Sequence, residues 1–351
     1  MLVVHMDSGL GNQMLDYAEY LAIQKTNPEE KCYLENIIYE IPNKEGMFSM
    51  WNGYELQRIF GIEVPNIKEL FSEEQWDCIL KDVENSEFWN ENWNFAPYIV
   101  NALKAQGLPL NNLGKKAGFD PHASKSLKSK ARYALTCFFR TTVGYHLKRL
   151  LRLMMKERII QKKKEEHNIF QKYPHDSYVG HSFAFKYKGG GIERMDKEIR
   201  EAFQFPPIED ERNQKMMDLI QNSNSVSIHA RRSDLLFLNG HCYKHGFFKR
   251  SVKYIRNKVE NPVFIFFTDE NSVGWCENNA GIFGLDFKKD HVEFVTWNKG
   301  EESYRDMQLM AQCKHNIFTE STFGFWGAYL NKNPNKITCA PDVTILSTNT
   351  F

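Results

Sequence analysis

The sequence has 351 residues, of which 42% are hydrophobic and 25% are charged. This balance is typical of globular domains and excludes a collagen-like or disordered chain, and the length suits about two domains. The formal net charge of +1 gives no general indication of nucleic-acid binding, and no apolar run approaches the roughly 18 residues of a membrane span. Residues 1–7 lack the basic and apolar regions of a signal peptide. The seven cysteines show no metal-ligand spacing, which favours reduced thiols in a cytosol.

The first predicted elements are a strand, a glycine-rich turn and a helix. Residues 2–6 form an apolar run typical of a buried strand, and residues 12–25 place apolar side chains at helical spacing. Gly9 and Gly11, between them, let the backbone approach a ligand and present N–H groups at a helix start. The segment does not fit a dinucleotide fingerprint, because Met14 stands where the third glycine is required, and it does not fit a P-loop. A tight strand-to-helix turn without a ligand is the alternative.

A basic segment follows at residues 125–164. It contains thirteen Lys and Arg residues and one acid, Glu157, so its formal charge is +12 and the rest of the chain is acidic. Apolar residues recur at helical spacing from Leu135 to Met154, which predicts a basic amphipathic helix or helix pair. Such a helix can lie on an anionic membrane surface; the alternative is a helix packed on the protein with a solvated basic face. RNA binding fits less well, because few aromatic residues accompany the charges and no RNA-binding motif is present.

The second half of the chain alternates strands and helices, whereas the pattern between residues 30 and 120 assigns no strand. Strands are predicted at residues 225–229, 263–267, 292–295, 316–319 and 336–340, and helices at residues 247–259, 301–313 and 322–330. Ser303 and Asp306 are predicted to cap the second of these helices. The alternation predicts a parallel, doubly wound sheet, whose ligands bind beyond the carboxyl ends of the strands. Polar clusters follow predicted strands at residues 7–13, 229–234, 268–270 and 319–322.

Two of these clusters contain residue types that bind phosphate. Arg231 and Arg232 are adjacent donors at a strand end, and Arg binds phosphate bidentately; a surface ion pair is the alternative. Asp234 could orient one guanidinium group or act as a base. Ser321 and Thr322 stand at a helix start, where a hydroxyl either caps the helix or, with the helix dipole, favours a bound phosphate.

The remaining polar residues fit a nucleotide without a metal ion. Asp269 and Glu270 close a strand and could accept hydrogen bonds from a base or ribose, or cap the next helix. His229 closes the strand before them, and a structural histidine is the alternative there. No metal motif is evident, since the sequence has no HExxH and no DxD pair after a strand. The charge of a departing diphosphate would then be met by arginines and helix N-termini rather than by Mg²⁺.

Taken in chain order, these clusters resemble glycosyltransferase family 11, the α-1,2-fucosyltransferases. The matching segments are GLGNQM at residues 9–14 with Tyr17-Ala18, the Tyr54-Glu55-Leu56 segment, the IRxxFxF-like stretch at residues 199–205, HARRSD at residues 229–234, FTDE at residues 267–270, and residues 307–331. They extend over most of the chain, and their joint occurrence in this order is specific.

The resemblance implies an α/β, GT-B-like fold with two Rossmann-like domains facing a central cleft. Residues 1–200 would form the N-terminal, acceptor-side domain with the basic helical insertion at about 125–164, and residues 201–351 the C-terminal GDP-sugar-binding domain. The implied reaction is an inverting, metal-independent transfer of fucose from GDP-β-L-fucose to a galactoside hydroxyl of a glycan, in α-1,2 linkage. The implied partners are GDP-fucose and a galactose-containing, lipid-linked glycan; no cofactor, metal or nucleic acid is expected.

The resemblance also assigns roles to residues. Arg231 and Arg232 would neutralise the diphosphate, and His229 would contact guanosine together with Asp269 or Glu270. The expected catalytic residues are Arg231, Asn12 and Asp234, with Asp234 as the candidate base that deprotonates the acceptor hydroxyl. The expected donor-binding residues are Gly9, Gly11, Asn12, Gln13, His229, Arg231, Arg232, Asp269, Glu270, Ser321, Thr322 and Phe323.

The chain departs from the family's usual sequence at several places. Ser233 replaces Gly, Leu15-Asp16 replaces Phe-Gln, Gly324-Phe325 replaces Ser-Trp, and residues 180–185 stand where GYWQSEK is common. The last region would shape the acceptor side, so transfer to another hydroxyl, transfer from another GDP-sugar, and a non-catalytic sugar-nucleotide- or glycan-binding protein are the alternatives. A further hypothesis is that the basic segment tethers a cytoplasmic enzyme to the inner membrane face, near lipid-linked acceptors.

Overall fold

The chain folds into two compact α/β units. The computed structural model describes residues 1–41, 51–90, 96–110, 112–113, 127–230, 232 and 236–351. Unit 1 comprises Met1–Thr136, Lys164–Phe185 and Gly190–Phe203, and unit 2 comprises Cys137–Lys163, Lys186–Gly189 and Gln204–Phe351.

The elements alternate along both units. The strands are β1 (Leu2–His5), β2 (Cys32–Glu35), β3 (Asn112–Leu113), β4 (Ser177–Gly180), β5 (Asn224–His229), β6 (Pro262–Phe267), β7 (Val292–Val295), β8 (His315–Phe318), β9 (Thr338–Ala340) and β10 (Asn349–Thr350). The helices are α1 (Leu10–Thr26), α2 (Glu55–Phe60), α3 (Glu73–Asn85), α4 (Ala96–Ala105), α5 (Leu127–Arg140), α6 (Thr142–Met154), α7 (Lys156–Glu166), α8 (Asp196–Ala202), α9 (Glu211–Asn222), α10 (Leu236–Lys244), α11 (Phe247–Arg256), α12 (Val273–Asn278), α13 (Ala280–Phe283), α14 (Tyr304–Gln312) and α15 (Thr322–Leu330). Short 3₁₀ helices lie at Ile37–Tyr39, Ile67–Leu70, Phe88–Asn90, Ala184–Lys186, Ile192–Arg194, Glu270–Ser272 and Gly300–Glu302.

Unit 1 is built on a parallel sheet in the order β2-β1-β4-β3. Every residue of β1 is buried, and Val4 lies in register with Leu34 and Val179, as expected of a central apolar strand in a parallel sheet. α1 follows β1, and Asn27 is its C-cap residue. The side-chain amide of Asn27 donates to the carbonyl of Ile23 at 2.8 Å. This bond satisfies a carbonyl of the last helical turn.

Unit 2 is built on a parallel sheet in the order β10-β9-β8-β5-β6-β7. Its core is rich in aromatic residues: the ring centroid of Phe283 lies 5.0 Å from that of Phe248 and 4.9 Å from that of Phe266. The α/β class and the two Rossmann-like units expected of a GT-B-like fold are therefore confirmed.

The predicted strands at 225–229, 263–267, 292–295 and 316–319 correspond to β5–β8 within one residue at each end. The predicted helix at 322–330 is α15, whereas the helix predicted at 247–259 ends at Arg256. A continuous apolar run identified β6 (PVFIFF), whereas β5 (NSVSIH) and β7 (VEFV) mix apolar with polar residues.

The predicted capping pair Ser303 and Asp306 is wrong. The 3₁₀ turn Gly300–Glu302 leads directly into α14, so Ser303 already has helical dihedral angles (φ −59°, ψ −25°) and its side chain makes no capping hydrogen bond. The carboxylate of Asp306 instead accepts a hydrogen bond from the side-chain amide of Asn298 at 2.7 Å.

The basic segment forms three helices, α5, α6 and α7, rather than one or two. Thr141 caps α6 by accepting a hydrogen bond from the backbone N–H of Gly144. A Cβ at position 144 would lie 2.0 Å from the carbonyl oxygen of Phe138, so the sharp α5–α6 junction requires glycine. Every helix in the described part of the chain is too short or too polar to traverse a lipid bilayer.

Packing divides the chain differently from the predicted boundary between residues 200 and 201. Residues 137–163 belong to unit 2, where the Arg152 guanidinium pairs with the Asp342 carboxylate at 2.8 Å and the Tyr145 ring stacks on His245 with centroids 4.2 Å apart. The functional division into acceptor-side and donor-side domains stays a prediction.

Candidate functional site

Three of the predicted polar clusters meet at the carboxyl edge of the unit 2 sheet. β5 lies between β6 and β8, and its last residue, His229, is in register with Phe267 of β6 and Phe318 of β8. Because these strands are parallel, the residues that follow them emerge at one edge, where open α/β sheets bind ligands. The described residues of three clusters, namely residues 229, 230 and 232, residues 268–270 and residues 319–322, are therefore neighbours.

His229 lies directly under the first turn of α15. Its side chain is buried, and its ring centroid is 5.8 Å from that of Phe323. A Cβ at Gly324 would lie 2.6 Å from His229 Nδ1 and 2.9 Å from Phe318 Cβ. Glycine at position 324 therefore lets the start of α15 contact His229 at the carboxyl edge of the sheet.

The start of α15 presents hydroxyl-bearing residues without a side-chain cap. Ser321 is the N-cap residue and is buried, yet its side chain accepts no hydrogen bond from the first helical turn. The preceding backbone is fixed by the Asn239 side chain, which accepts a hydrogen bond from the N–H of Glu320 at 3.1 Å. Ser321 therefore does not cap α15 through its side chain, and Thr322 is the first helical residue.

Arg232 is held by aromatic rings near the same edge. Its guanidinium carbon lies 3.2 Å from the ring centroid of Trp275 in α12 and 5.4 Å from that of Tyr243 in α10. A guanidinium stacked on a ring keeps its N–H groups in the plane of the group, where they can still donate to an anion. Arg231 and Asp234 lie outside the described residues, as does Ser233.

Asp269 and Glu270 differ in their surroundings at the end of β6. Thr268, just before them, donates its hydroxyl to the carbonyl of Ala230 at 2.8 Å, which ties the ends of β5 and β6 together. Glu270 forms an ion pair with Lys299, and this pair lowers the pKa of its carboxyl group. Both carboxylates are exposed at the strand end, so either can be reached by a nucleoside.

In unit 1, the predicted glycine loop is shorter than expected. α1 begins at Leu10, directly after the N-cap residue Gly9, so Asn12 and Gln13 lie in the first helical turn and not on a loop. The N–H groups of Asn12 and Gln13 both donate to the carbonyl of Gly9, at 2.9 and 3.1 Å. Gly11 is buried in the same turn.

The side chain of Gln13 fixes the loops around it. Its amide nitrogen donates to the carbonyls of Ser8 and Gly53 at 3.0 and 2.8 Å, and its oxygen accepts from the N–H of Glu55 at 2.8 Å. The Glu55 carboxylate in turn accepts from the N–H of Leu10 at 3.2 Å. The chain's own carboxylate thus occupies a position at the start of α1 that was predicted for a ligand, and the three backbone contacts of Gln13 indicate a structural role.

A cluster of ionisable side chains lies at the carboxyl edge of the unit 1 sheet and was not predicted from the sequence. His5 Nε2 lies 3.2 Å from Asp7 Oδ2, and His181 Nδ1 lies 3.4 Å from Asp7 Oδ1 and 3.4 Å from Asp16 Oδ1. Ligand atoms of His5, Asp7 and His181 all lie within 4.8 Å of one another, so these residues could hold a metal ion. No local motif revealed them, because His5 and His181 are far apart in the sequence; the only signals were Asp7 after a strand and the unusual residues 180–185.

The same region buries further carboxylates. Glu19 accepts hydrogen bonds from the N–H groups of Ser182 and Ala184 at 2.9 and 3.0 Å, and burial raises its pKa to about 7. Burial also raises the pKa of Asp16, while His181 opposes this change. α1 and the loop after β4 are therefore joined by charged contacts rather than by apolar packing alone.

A cationic cavity of about 460 Å³ lies in unit 2, where α6 packs near α10 and the end of β8. Its charged lining consists of Arg140, Lys148, Arg149, Arg152, Lys244, Glu320 and Asp342. Five cations against two acids make this space suitable for an anionic group. Glu320 immediately precedes Ser321, so the cavity adjoins the start of α15.

Comparison with known proteins places the chain in a family. A sequence profile described as Glycosyl transferase family 11 matches residues 149–345, more than half of the 351 residues. An α-1,2-colitosyltransferase of Escherichia coli is 34% identical over 134 residues, which cover 36% of this chain and 43% of that protein. The O-antigen biosynthesis glycosyltransferase WbnK of Escherichia coli is 33% identical over 35% of this chain and 40% of its own length. A galactoside α-(1,2)-fucosyltransferase 1 of Saimiri sciureus is 33% identical over 30% of this chain and 28% of its own length.

The matched segments thus span less than half of each of these relatives. Among solved structures, the fucosyltransferase NodZ from Bradyrhizobium is 12% identical with a TM-score of 0.41, covering 93% of this chain and 91% of that chain. The ADP-heptose lipopolysaccharide heptosyltransferase II of E. coli is 10% identical with a TM-score of 0.38, covering 97% and 83%.

Proposed function

The chain belongs to glycosyl transferase family 11, and from this we propose that it transfers fucose from GDP-β-L-fucose to a galactoside hydroxyl of a glycan, in α-1,2 linkage and with inversion. The observation that carries the proposal is the meeting of His229, Asp269 and the Ser321 helix start at one edge of a parallel sheet, with Arg232 held beside them. Relatives described as α-1,2-fucosyl- and α-1,2-colitosyltransferases support the linkage.

The donor would be bound by charge and hydrogen bonding rather than by a metal at its diphosphate. Arg231 and Arg232 would neutralise the diphosphate, and the start of α15 would add its helix dipole. His229 would contact guanosine together with Asp269 or Glu270, and Glu270 also pairs with Lys299. Fixed positive groups of this kind stabilise a leaving diphosphate as the bond to fucose breaks.

The acceptor side of the reaction needs a base. As an acceptor hydroxyl attacks C1 of the sugar it must lose its proton, and Asp234 is the candidate to take it. Asn12, Gly9 and Gly11 are proposed to approach the donor from the start of α1, whereas Gln13 is fixed by backbone contacts.

Activity can be tested with the full chain, GDP-fucose and galactosides, following GDP release and the anomeric configuration of the product. We expect an α-linked fucoside, formed by EDTA-treated protein equally well with and without added Mg²⁺. Strict dependence on Mg²⁺ would contradict the arginine mechanism. Donor binding without turnover would favour a binding protein, and turnover with GDP-colitose alone would favour another GDP-sugar.

Removal of either neighbouring arginine tests the site itself. Arg231→Ala and Arg232→Ala should each lower kcat/KM by about 100-fold or more, as when one transition-state charge donor is lost. Arg256→Ala is the matched control, because Arg256 pairs with Asp290 just before β7, at the amino end of the sheet. A loss below about threefold at position 231 or 232 would remove that residue from the site.

A second proposal concerns the basic segment, which we infer docks on an anionic membrane surface. Large apolar side chains that are exposed are confined, among the described residues, to α5, α6 and their junctions: Leu135, Phe138, Val143, Leu147, Leu150, Leu151, Met154 and Met155. Lys and Arg residues flank them, and such a surface suits a headgroup layer with acyl chains beneath. Docking at the inner membrane face would bring the enzyme close to lipid-linked acceptors.

Vesicle flotation tests this docking. Deleting the whole segment would disturb unit 2, so we choose Leu147→Ser with Leu151→Ser, both exposed. Losing two inserted leucines should weaken binding to phosphatidylserine vesicles by about 2 kcal/mol, or roughly 30-fold. The control replaces the exposed Lys197 and Lys215 by Ser; equal flotation of all three proteins would contradict the proposal.

A further inference from the structure

The carboxyl edge of the unit 1 sheet holds buried nitrogen and oxygen ligands that the proposed reaction does not use. His5 is the last residue of β1, Asp7 follows it, Asp16 lies in α1, and His181 follows β4. We propose that His5, Asp7 and His181 bind one divalent transition-metal ion, with Zn²⁺ as the best match and Asp16 beside the three ligands. The inference does not depend on the proposed transferase activity, and the ion is distinct from any cation at the donor diphosphate.

The spacing of the ligand atoms favours a metal over plain ion pairs. The nitrogen–oxygen distances are 3.2 Å for His5–Asp7, 3.4 Å for His181–Asp7 and 3.4 Å for His181–Asp16. Charged hydrogen bonds are shorter, at about 2.7–2.9 Å. An ion bound at about 2.0–2.1 Å separates neighbouring tetrahedral ligands by roughly 3.3–3.4 Å, close to the distances that join His5 and His181 to the two carboxylate oxygens of Asp7.

The contacts that His5 makes on the side away from Asp7 resemble those of a metal-binding histidine. His5 Nδ1, on the side of the ring away from Asp7, lies 2.7 Å from Glu35 Oε2, and the Tyr178 hydroxyl lies 2.7 Å from both groups. A metal-binding histidine typically engages a carboxylate through its second nitrogen, which fixes the ring and raises its basicity. His5 Nε2 is thereby directed toward Asp7 and the proposed ion.

The charge of the region would also favour a cation. Asp7, Asp16, Glu19 and Glu35 are all buried, and buried carboxylates are unfavourable unless they are paired or bind a metal. Asp16 Oδ1 accepts no hydrogen bond of good geometry from the described residues. The His5 and His181 rings are neutral when they bind a metal, so the ion itself would supply the missing positive charge.

The backbone at the site is held in an uncommon conformation. Ser8, His181 and Phe183 have positive φ angles of 69°, 60° and 54°. Such residues persist when surrounding contacts over-determine them. An ion bridging the end of β1 and the loop after β4 would supply this constraint.

Metal titration of the full, tag-free chain tests the proposal. Protein cleared of metal with EDTA should bind one Co²⁺ and show the visible absorption of a tetrahedral ion, and one Zn²⁺ should displace it and raise the melting temperature. His181→Ala should weaken Zn²⁺ binding at least 100-fold. The control His175→Ala, at an exposed histidine of the same unit, should bind as the wild type does.

A conservative variant separates ligation from a merely structural effect. His181→Cys keeps a metal ligand, so it should retain one Co²⁺ and add a thiolate charge-transfer band in the near ultraviolet. Glu35→Gln should weaken binding by about 10–100-fold, as loss of a supporting carboxylate does. Absence of 1:1 binding to a folded wild type, or unchanged affinity in His181→Ala, would overturn the site.

Discussion

At the residue scale, Asp306 should make the stability of the fold depend on pH. Burial raises the pKa of its carboxyl group to about 7, against the usual value of 3.8, while the hydrogen bond from Asn298 opposes this. The folded state therefore holds a proton that the unfolded state has lost, and stability decreases as pH rises from about 4 to about 7. Asp306→Asn retains the acceptor oxygen and removes the titration.

Urea unfolding at pH 5 and pH 8 measures this effect. Relative to the wild type, Asp306→Asn should gain roughly 3 kcal/mol between the two pH values, because the interval from pH 5 to the folded-state pKa of about 7 covers about two pH units at about 1.4 kcal/mol each. Asp218→Asn, on the helix α9, is the control and should follow the wild type. Parallel pH curves for Asp306→Asn and the wild type would show that the carboxylate is not desolvated.

The roles of individual side chains were harder to predict than their positions in the fold. Residue type correctly placed His229 and Arg232 at a strand end, because polar residues after apolar strands signal the sheet edge. The prediction that Ser303 caps α14 was wrong because a 3₁₀ turn, which depends on tertiary contacts, leads directly into the helix. Gln13 looked like a ligand contact, but its partners Gly53 and Glu55 are distant in the sequence and could not be anticipated.

At the element scale, the start of α1 should depend on the Gln13 side chain. Gln13→Ala would leave two carbonyls and the N–H of Glu55 without the amide that now satisfies them. Each lost buried partner costs about 1–3 kcal/mol, so we expect a loss of roughly 3 kcal/mol in the free energy of unfolding. The control Gln57→Ala removes an exposed glutamine and should change it by less than about 0.5 kcal/mol.

Thermal unfolding and hydrogen exchange across residues 7–16 measure the contribution of Gln13. Faster exchange in this segment should accompany the lost stability. A Gln13→Ala protein as stable as Gln57→Ala would show that the loops close without the amide.

The predictability of elements followed the strength of the hydrophobic pattern. β6 is a continuous apolar run and β5, β7 and β8 are short segments with branched or aromatic residues, and all four were placed within one residue at each end. Unit 1 was placed poorly between residues 30 and 120, because β2 has only four residues and β3 only two, with short helices between them. The break between α5 and α6 depends on the contact of Gly144 with Phe138, which no periodicity reveals.

At the scale of the whole molecule, the chain length predicted two units, and the alternation of strands and helices predicted a parallel sheet. The discontinuous composition of both units could not be read from the sequence, because it depends on pairs such as Arg152 with Asp342, which are 190 residues apart. The same reason hid the three proposed metal ligands, because His181 lies far from His5 and Asp7 in the sequence.

Burial over both units should divide the seven cysteines into two classes. All seven are free thiols; Cys78 and Cys137 are exposed, and Cys32, Cys242, Cys276, Cys313 and Cys339 are buried. Burial raises the pKa of Cys32 and Cys276 to about 11 and that of Cys339 to about 12, so little reactive thiolate forms at these positions near neutral pH.

A thiol reagent applied to the native protein should therefore modify two cysteines rapidly and the other five only after unfolding. Replacing Cys78 and Cys137 together by Ser should abolish the rapid phase while leaving the slow phase intact, whereas replacing Cys313 and Cys339 should leave the rapid phase unchanged. Because the buried thiols belong to both units, the slow phase also reports whether the units open together or one before the other. Rapid modification of more than two thiols in the native chain would contradict the packing of the corresponding core.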